Sequence, residues 1–376
     1  MRLRLSVARV LSLAVVVVLS PLVLAAAPAQ AQGAPWTVVS SPNATPGNND
    51  LAAVATVSAN DAWAVGSAEN SLGNDQLLAE HWDGTAWTIV RTPTVVTGDL
   101  SALAAISTND VWAGGSMLLS ARGNTAQFAH WNGHKWTIAK SPATTAGISG
   151  MTAVSSTDVW AVGSIVSGFT AQTFIEHWNG KSWAVVPSPN NGTGSNLLNA
   201  VSAVSASDVW AVGQFQDAAN TPQTLTEHWN GSSWSIVTSP SAGAEFLGAA
   251  AVTSSDVWAV GLTGGTTLIE HWNGTSWAVV PSPNPAGTVS NLLFGTAVVS
   301  ANDIWAVGEA QNASGTPSTL VEQWNGTSWS IVASPSPGSA ASLRAAAADP
   351  TSGQAWAVGN FRSPSGADQT LIEFNP

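Results

Sequence analysis

A short core, Asp-x-Trp-Ala-Val-Gly or a near variant, recurs seven times along this chain, with its tryptophan at Trp63, Trp112, Trp160, Trp210, Trp258, Trp305 and Trp356. The steps between these tryptophans are 49, 48, 50, 48, 47 and 51 residues. A period of about 49 is the mark of a chain built from stacked copies of one supersecondary unit, none of which can bury its apolar face alone. The copies must therefore be read as neighbours of one another before anything else is asked of them.

The copy from Leu197 to Pro240 shows the unit clearly. Asn199 to Ser205 alternates small residues, while Val209 to Gly213, Thr224 to Trp229 and Ser233 to Val237 are rich in β-branched and aromatic residues. These read as four short strands, too short for helices. Ser205-Ala206-Ser207-Asp208 reads as a tight polar turn in which the Asp side chain bonds nearby backbone N–H groups. Asn230-Gly231 reads as a hairpin turn of type I′, since both residues tolerate positive φ. Trp229 and Trp234 flank that turn, and strand parity puts them on one face.

Four antiparallel strands at this period make the blade of a β-propeller. The expected fold is all-β: seven four-stranded blades in one domain spanning residues 32–376. The last copy, from residue 341, ends at Pro376 without a fourth strand, and residues 35–42 supply an orphan fourth strand that begins at Trp36. That strand is expected to complete the seventh blade and close the ring. The 20 tryptophans agree: seven in second strands, six before the Asn/Asp-Gly turn and seven after it, Trp36 included.

Arg2, Arg4 and Arg9, an apolar run from Val10 to Leu24, and Ala29-Gln30-Ala31 read as a secretory signal peptide cleaved after Ala31. Removing it takes three of the ten basic residues and none of the 22 acidic ones. So acidic a surface disfavours nucleic acid and anionic lipid as partners. No later stretch reads as a membrane span. With no cysteine, disulfides, thiolate metal sites and thiol catalysis are excluded. The expected product is an exported monomer with no cofactor.

The Val-Trp-Ala-Val-Gly strand, followed by Gly-Ser-Ser-Trp (231–234) or Gly-Thr-Ser-Trp (274–277, 326–329), resembles the Asp-box, or bacterial neuraminidase, repeat and its photosystem-assembly-factor relatives. The resemblance is confined to this strand and hairpin, and the family's Ser and Asp fall here on Glu227 and Trp229. It implies a propeller blade whose third and fourth strands are joined by that hairpin. Sialidases of similar architecture use a Tyr nucleophile and an arginine triad. This chain has no Tyr, and its arginines beyond the signal are Arg91, Arg122, Arg344 and Arg362.

Glu80-His81, Glu176-His177, Glu227-His228 and Glu270-His271, each with an Asp-x-Trp in the same blade, resemble acid–base parts. A constellation repeated around a ring serves structure better than one catalytic event, so intrablade hydrogen bonds are expected of it. Asn-Gly-Ser/Thr sequons at Asn230, Asn273 and Asn325 coincide with the hairpin turn and read as turn chemistry. The first-to-second and third-to-fourth turns are uniform, whereas the second-to-third loops vary and should share one face with the blade connectors. Function is expected on that variable face, at Arg122, Phe169, Phe215, Asp217, Glu309, Phe361 and Arg362, whose charges and rings suit a polysaccharide or a cell-surface protein. The leading expectation is a non-catalytic binding or scaffold module. The competing one is a glycoside hydrolase or lyase with paired carboxylates at the channel mouth.

Overall fold

The computed structural model describes residues 35–376 apart from 121–124, 144–145 and 241, so the signal-peptide reading and Arg122 lie outside the described residues. Every described element is a strand, and the strands form seven four-stranded antiparallel sheets. Blade four is typical: Asn196–Ser205, Asp208–Gln216, Pro222–Trp229 and Trp234–Ile236, paired in sequence order. The first strands of all seven blades line a narrow axial cavity of about 200 Å³. In the closing blade, Thr37–Val39 pairs with Asp368–Asn375, in the register Thr37 opposite Phe374 and Val39 opposite Ile372. The ring is shut by a strand from its other end.

The first strands are crowded near the axis, which accounts for their small residues. A Cβ on Gly150 would come within 2.9 Å of the Ala200 Cα, and one on Gly295 within 2.8 Å of the Ala345 Cα. Each first strand also carries a bulge, in blade four between Leu198 and Ala200. The bulge pushes the Leu197 carbonyl to 2.0 Å from where a Cβ on Gly213 would sit. The same clash, at 1.8–2.1 Å, recurs at all seven glycines of the repeat core. The core's glycine is thus demanded by the neighbouring bulge, because only a residue without a side chain admits that carbonyl.

Apolar side chains do not gather into one core. They form seven wedges, each shared by two adjacent blades. At the centre of a wedge, the second-strand tryptophan of one blade meets the hairpin pair of the next. Trp160 packs 5.0 Å from Trp229 and 5.4 Å, edge-on at 81°, from Trp234. Trp210 meets Trp272 and Trp277 in the same way, and Trp356 meets Trp82 and Trp87 across the closing seam. Trp305 meets Trp36 at 5.2 Å and 86°. The three tryptophans of one repeat therefore serve two different interfaces.

Two details of the turns differ from the sequence reading. The hairpin is a four-residue loop and not a type I′ turn: Gly231 alone takes positive φ, +91°. Asn230 instead accepts hydrogen bonds through Oδ1 from the N–H groups of Ser232 and Ser233. Asp208 does not cap its own turn. Its Oδ1 lies 2.8 Å from His228 Nε2, while Ser205 Oγ accepts the turn's N–H from Ser207.

A second device joins the blades. In six of the seven blades the third strand carries a fully buried glutamate, Glu80, Glu176, Glu227, Glu270, Glu322 or Glu373. Each accepts a hydrogen bond from the serine of the preceding blade's Ser-Pro connector: Ser41, Ser141, Ser188, Ser239, Ser282 or Ser334, at 2.7–2.9 Å. Burial pushes the Glu80, Glu227 and Glu322 carboxyls up to about 8 and Glu373 to about 7, against a partial lowering by the serine; Glu176 is raised from the same cause. Burial thus favours the protonated form of Glu80, Glu227 and Glu322 at neutral pH.

Two outcomes follow. Removing residues 35–42 exposes the third strand of blade seven as an open edge and deletes Trp36 from its wedge, so the truncated chain self-associates in analytical ultracentrifugation. Trp36→Ala alone costs about 3–5 kcal/mol in denaturant unfolding. The glutamates set the pH response. In the unfolded chain such a carboxyl loses its proton near pH 4.5, but the folded chain holds it to about 8. Across that window the folded state binds more protons, so stability falls as pH rises and levels off above it. Glu227→Gln makes the pH slope of unfolding free energy shallower by about one proton.

Candidate functional site

The second-to-third loops and the connectors do share a face. Thr45 Oγ1 in the connector before blade one donates to the Glu69 carbonyl at the end of that blade's second strand, at 2.7 Å. Asn48 Oδ1 accepts from the Asp368 N–H of blade seven at 3.0 Å. Three of the loops on this face differ in sequence more than in shape, whereas blades three and five turn with two residues. Asn70, Asp217 and Asn312 open loops of the same length. Asp217 Oδ1 accepts from the N–H groups of Ala219 and Thr221, Asn70 Oδ1 from Leu72 and Asn74, and Asn312 Oδ1 from Ser314 and Thr316. The residue three places on takes positive φ each time: Gly73, Asn220 and Gly315. The Asx-x-x-Gly/Asn spacing was the available sequence signal for this shared turn.

That geometry sorts the residues singled out from sequence. Asp217 caps its own loop and also accepts from Gln223 Nε2 at 3.0 Å; backbone hydrogen bonds hold its carboxyl below the usual range. Phe215 and Phe361 pack against the wedges of Leu198 and Leu343. Phe169 is fully exposed at the tip of the blade-three loop. Glu309 is 6% exposed and accepts from Gln311 Nε2 at 2.7 Å. Arg362 holds Asp368 through Nε at 2.6 Å and Nη2 at 2.9 Å. Of the seven, Glu309 and Arg362 line one groove, of about 560 Å³, between blades six and seven.

The strand reading missed a further charged group of the groove. Arg344 sits on the first strand of blade seven, at its bulge. The seven bulged residues are Ala52, Ser101, Ser149, Asn199, Leu247, Phe294 and Arg344, and all of them line the axial cavity. Ser101 Oγ donates to the Ile148 carbonyl and Asn199 Nδ2 to the Phe246 carbonyl, bracing the next blade. Arg344 instead lays its guanidinium 4.6 Å from the centre of the Phe294 ring and reaches to 3.8 Å from Glu309. Cation–π and ion-pair contacts thus hold a half-exposed arginine at the mouth. Nearby, burial pushes the Asp50 carboxyl up, and the carboxylates of Asp368 and Asp75 add to this, opposed by Arg344 and Arg362. Buried Ser342 also lines the groove, and its Oγ has no partner among the described residues.

The repeated Asp–His pairs are intrablade ties, as their repetition implied. His81, His130, His177, His228 and His271 lie 2.7–2.9 Å from Asp61, Asp110, Asp158, Asp208 and Asp256. In blade six Gln323 Nε2 donates to Asp303 at 2.9 Å, and in blade seven Phe374 packs on Trp356 instead. Because Gln323 already does this work, His228→Gln should keep ligand binding unchanged and move the melting temperature by only a few degrees. Asp217→Ala should lower stability by about 1 kcal/mol through loss of the loop cap.

No protein-family model matches the chain, and no curated protein sequence does. Among solved structures it is similar to YCF48 bound to a D1 peptide, with a TM-score of 0.53 and 13% identity, over 91% of this chain and 96% of that one. It is similar to U3-55K at a TM-score of 0.59 and 9% identity, over 91% and 98% of the two chains. A GH74 xyloglucanase from Xanthomonas campestris matches at 0.57 and 15% identity, over 89% of this chain and 55% of that one. At these identities the likeness carries the fold: this chain is a seven-bladed β-propeller, a ring that others use both to bind partners and to carry an enzyme.

Proposed function

We propose that this protein is an exported binding module that takes an extended ligand, a polysaccharide or a segment of a cell-surface protein, across the groove between blades six and seven. One observation carries the reading. Where the repeat is otherwise uniform, its bulge position differs between most blades, and at blades six and seven it sets Phe294 and Arg344 at the channel mouth beside Glu309, Arg362 and Asp368. A flat ring, two arginines on carboxylate supports and a polar groove of this size match what sugar hydroxyls or a peptide backbone require. The likeness to a propeller bound to a peptide supports the same use of the fold. Export rests on the signal-peptide pattern of residues 1–31.

A second reading is favoured by Asp50. Its carboxyl is raised chiefly by burial, with Asp368 and Asp75 adding to this, and a raised carboxyl is what the general acid of glycoside hydrolysis requires. Calorimetric titration of the chain with a panel of neutral polysaccharides and oligosaccharides, with released reducing sugar followed in parallel, separates the two. Binding without release, weakened about tenfold by Arg344→Ala, supports the binding module. Release that disappears in Asp50→Asn establishes the enzyme. Absence of both across the panel removes neutral polysaccharide as the ligand of this groove and favours the protein partner.

A further inference from the structure

The junction between blades one and two departs from the other six. Its connector reads Arg91-Thr92-Pro93 in place of Ser-Pro, and the third strand of blade two carries buried Ala129 where the others carry glutamate. Thr92 turns its hydroxyl back to the Leu77 carbonyl of its own blade, at 2.9 Å. The carboxyl found at the other junctions is therefore missing here, together with its hydrogen bond. At the same junction lies a groove of about 460 Å³ between the connector of blade one and the hairpin of blade two.

The lining of this groove runs against the charge of the molecule. Arg91, His134 and Lys135 are exposed along it, and partly exposed Trp131 and Pro93 supply flat apolar surface. Beyond the first 31 residues the chain has seven lysines and arginines against 22 acidic residues. Two of those seven lie in this groove with a histidine. Among the described residues neither Arg91 nor Lys135 has a carboxylate within ion-pair distance, in contrast to Arg344 and Arg362. Trp131 is fixed by its indole N–H, which donates to the Thr108 carbonyl at 3.0 Å, so its ring is presented rigidly.

We propose that this groove binds the carboxylate groups of an acidic polysaccharide of the uronic-acid class. The guanidinium of Arg91 matches a carboxylate bidentately and Lys135 adds a point charge, while the Trp131 and Pro93 surfaces receive the C–H face of a sugar ring. The groove lies in the volume range of small-ligand sites, enough for a short stretch of chain. The site is separate from the mouth at blades six and seven and does not depend on the reading given to it.

Calorimetry of the full exported chain with an oligogalacturonate, and with a neutral cello-oligosaccharide as control, tests the site. The oligogalacturonate should bind, more weakly with added salt, and Arg91→Ala/Lys135→Ala should weaken it about tenfold. Lys181→Ala, at the His134 position of the blade-three hairpin, should leave it unchanged. No oligogalacturonate binding, or binding that survives the double substitution, overturns the proposal. So does an equal loss in Lys181→Ala, which would report net charge alone. Displacement of the sugar by single-stranded DNA at lower concentration overturns the polysaccharide assignment. Both substituted side chains are exposed, so an unchanged circular dichroism spectrum shows that a loss of binding comes from the groove.

Discussion

The contact on which the ring depends is the edge-to-face meeting of a second-strand tryptophan with the hairpin pair of the next blade. A four-stranded sheet with small residues near the axis has little apolar area of its own to bury. The wedge filled by Trp160, Trp229 and Trp234 supplies that area and also fixes the angle between adjacent blades. Every wedge needs two blades, so stability belongs to the neighbour contacts and is lost at any open end. This is why Trp36 carries more weight than its place in a three-residue strand implies. It gives blade six a partner that blade seven otherwise lacks, since Asn375 stands where other third strands have tryptophan.

The buried glutamates add a polar interaction at the same interfaces. Each takes a hydrogen bond from a serine across the seam, burial raises the carboxyls of Glu80, Glu176, Glu227, Glu322 and Glu373, and in Glu80, Glu227, Glu322 and Glu373 the other oxygen has no partner among the described residues. A buried group of this kind is a poor source of stability by itself. What it provides is discrimination: a connector serine meets its acceptor only when the next blade sits in the right register. The co-occurrence of Thr92 with Ala129 fits this, because donor and acceptor are replaced together at one seam.

The fold was legible in the sequence because the repeat restates each constraint seven times. Strand number, the tryptophan arithmetic and the complementary ends all came from periodicity. The Asp–His ties were legible for the same reason, since Gln323 and Phe374 show the position tolerating change. What escaped was what a linear pattern does not encode. Asn70, Asp217 and Asn312 look like three different loops, but share one backbone turn set by a side-chain cap. Phe215 and Phe361 stand out in polar loops, yet the pleat turns them into the wedges. Arg344 and Phe294 lie in strands whose neighbours are small residues, and only the bulge register shows that they meet at the axis.

The bulge has one more consequence. A residue skipped by the ladder owes nothing to strand pairing, and here its side chain also stands outside the tryptophan wedges. Its identity can drift without disturbing its own ladder, at most removing a brace to the next blade such as those from Ser101 and Asn199, while the glycine beside it, pressed by the displaced carbonyl, cannot. A gene built by duplicating one unit thereby acquires seven editable letters arranged in a circle, in a frame that keeps their spacing constant. Diversification of such a protein needs no new loop and no insertion. It can proceed by single-codon changes at Ala52, Ser101, Ser149, Asn199, Leu247, Phe294 and Arg344, each altering one sector of the mouth.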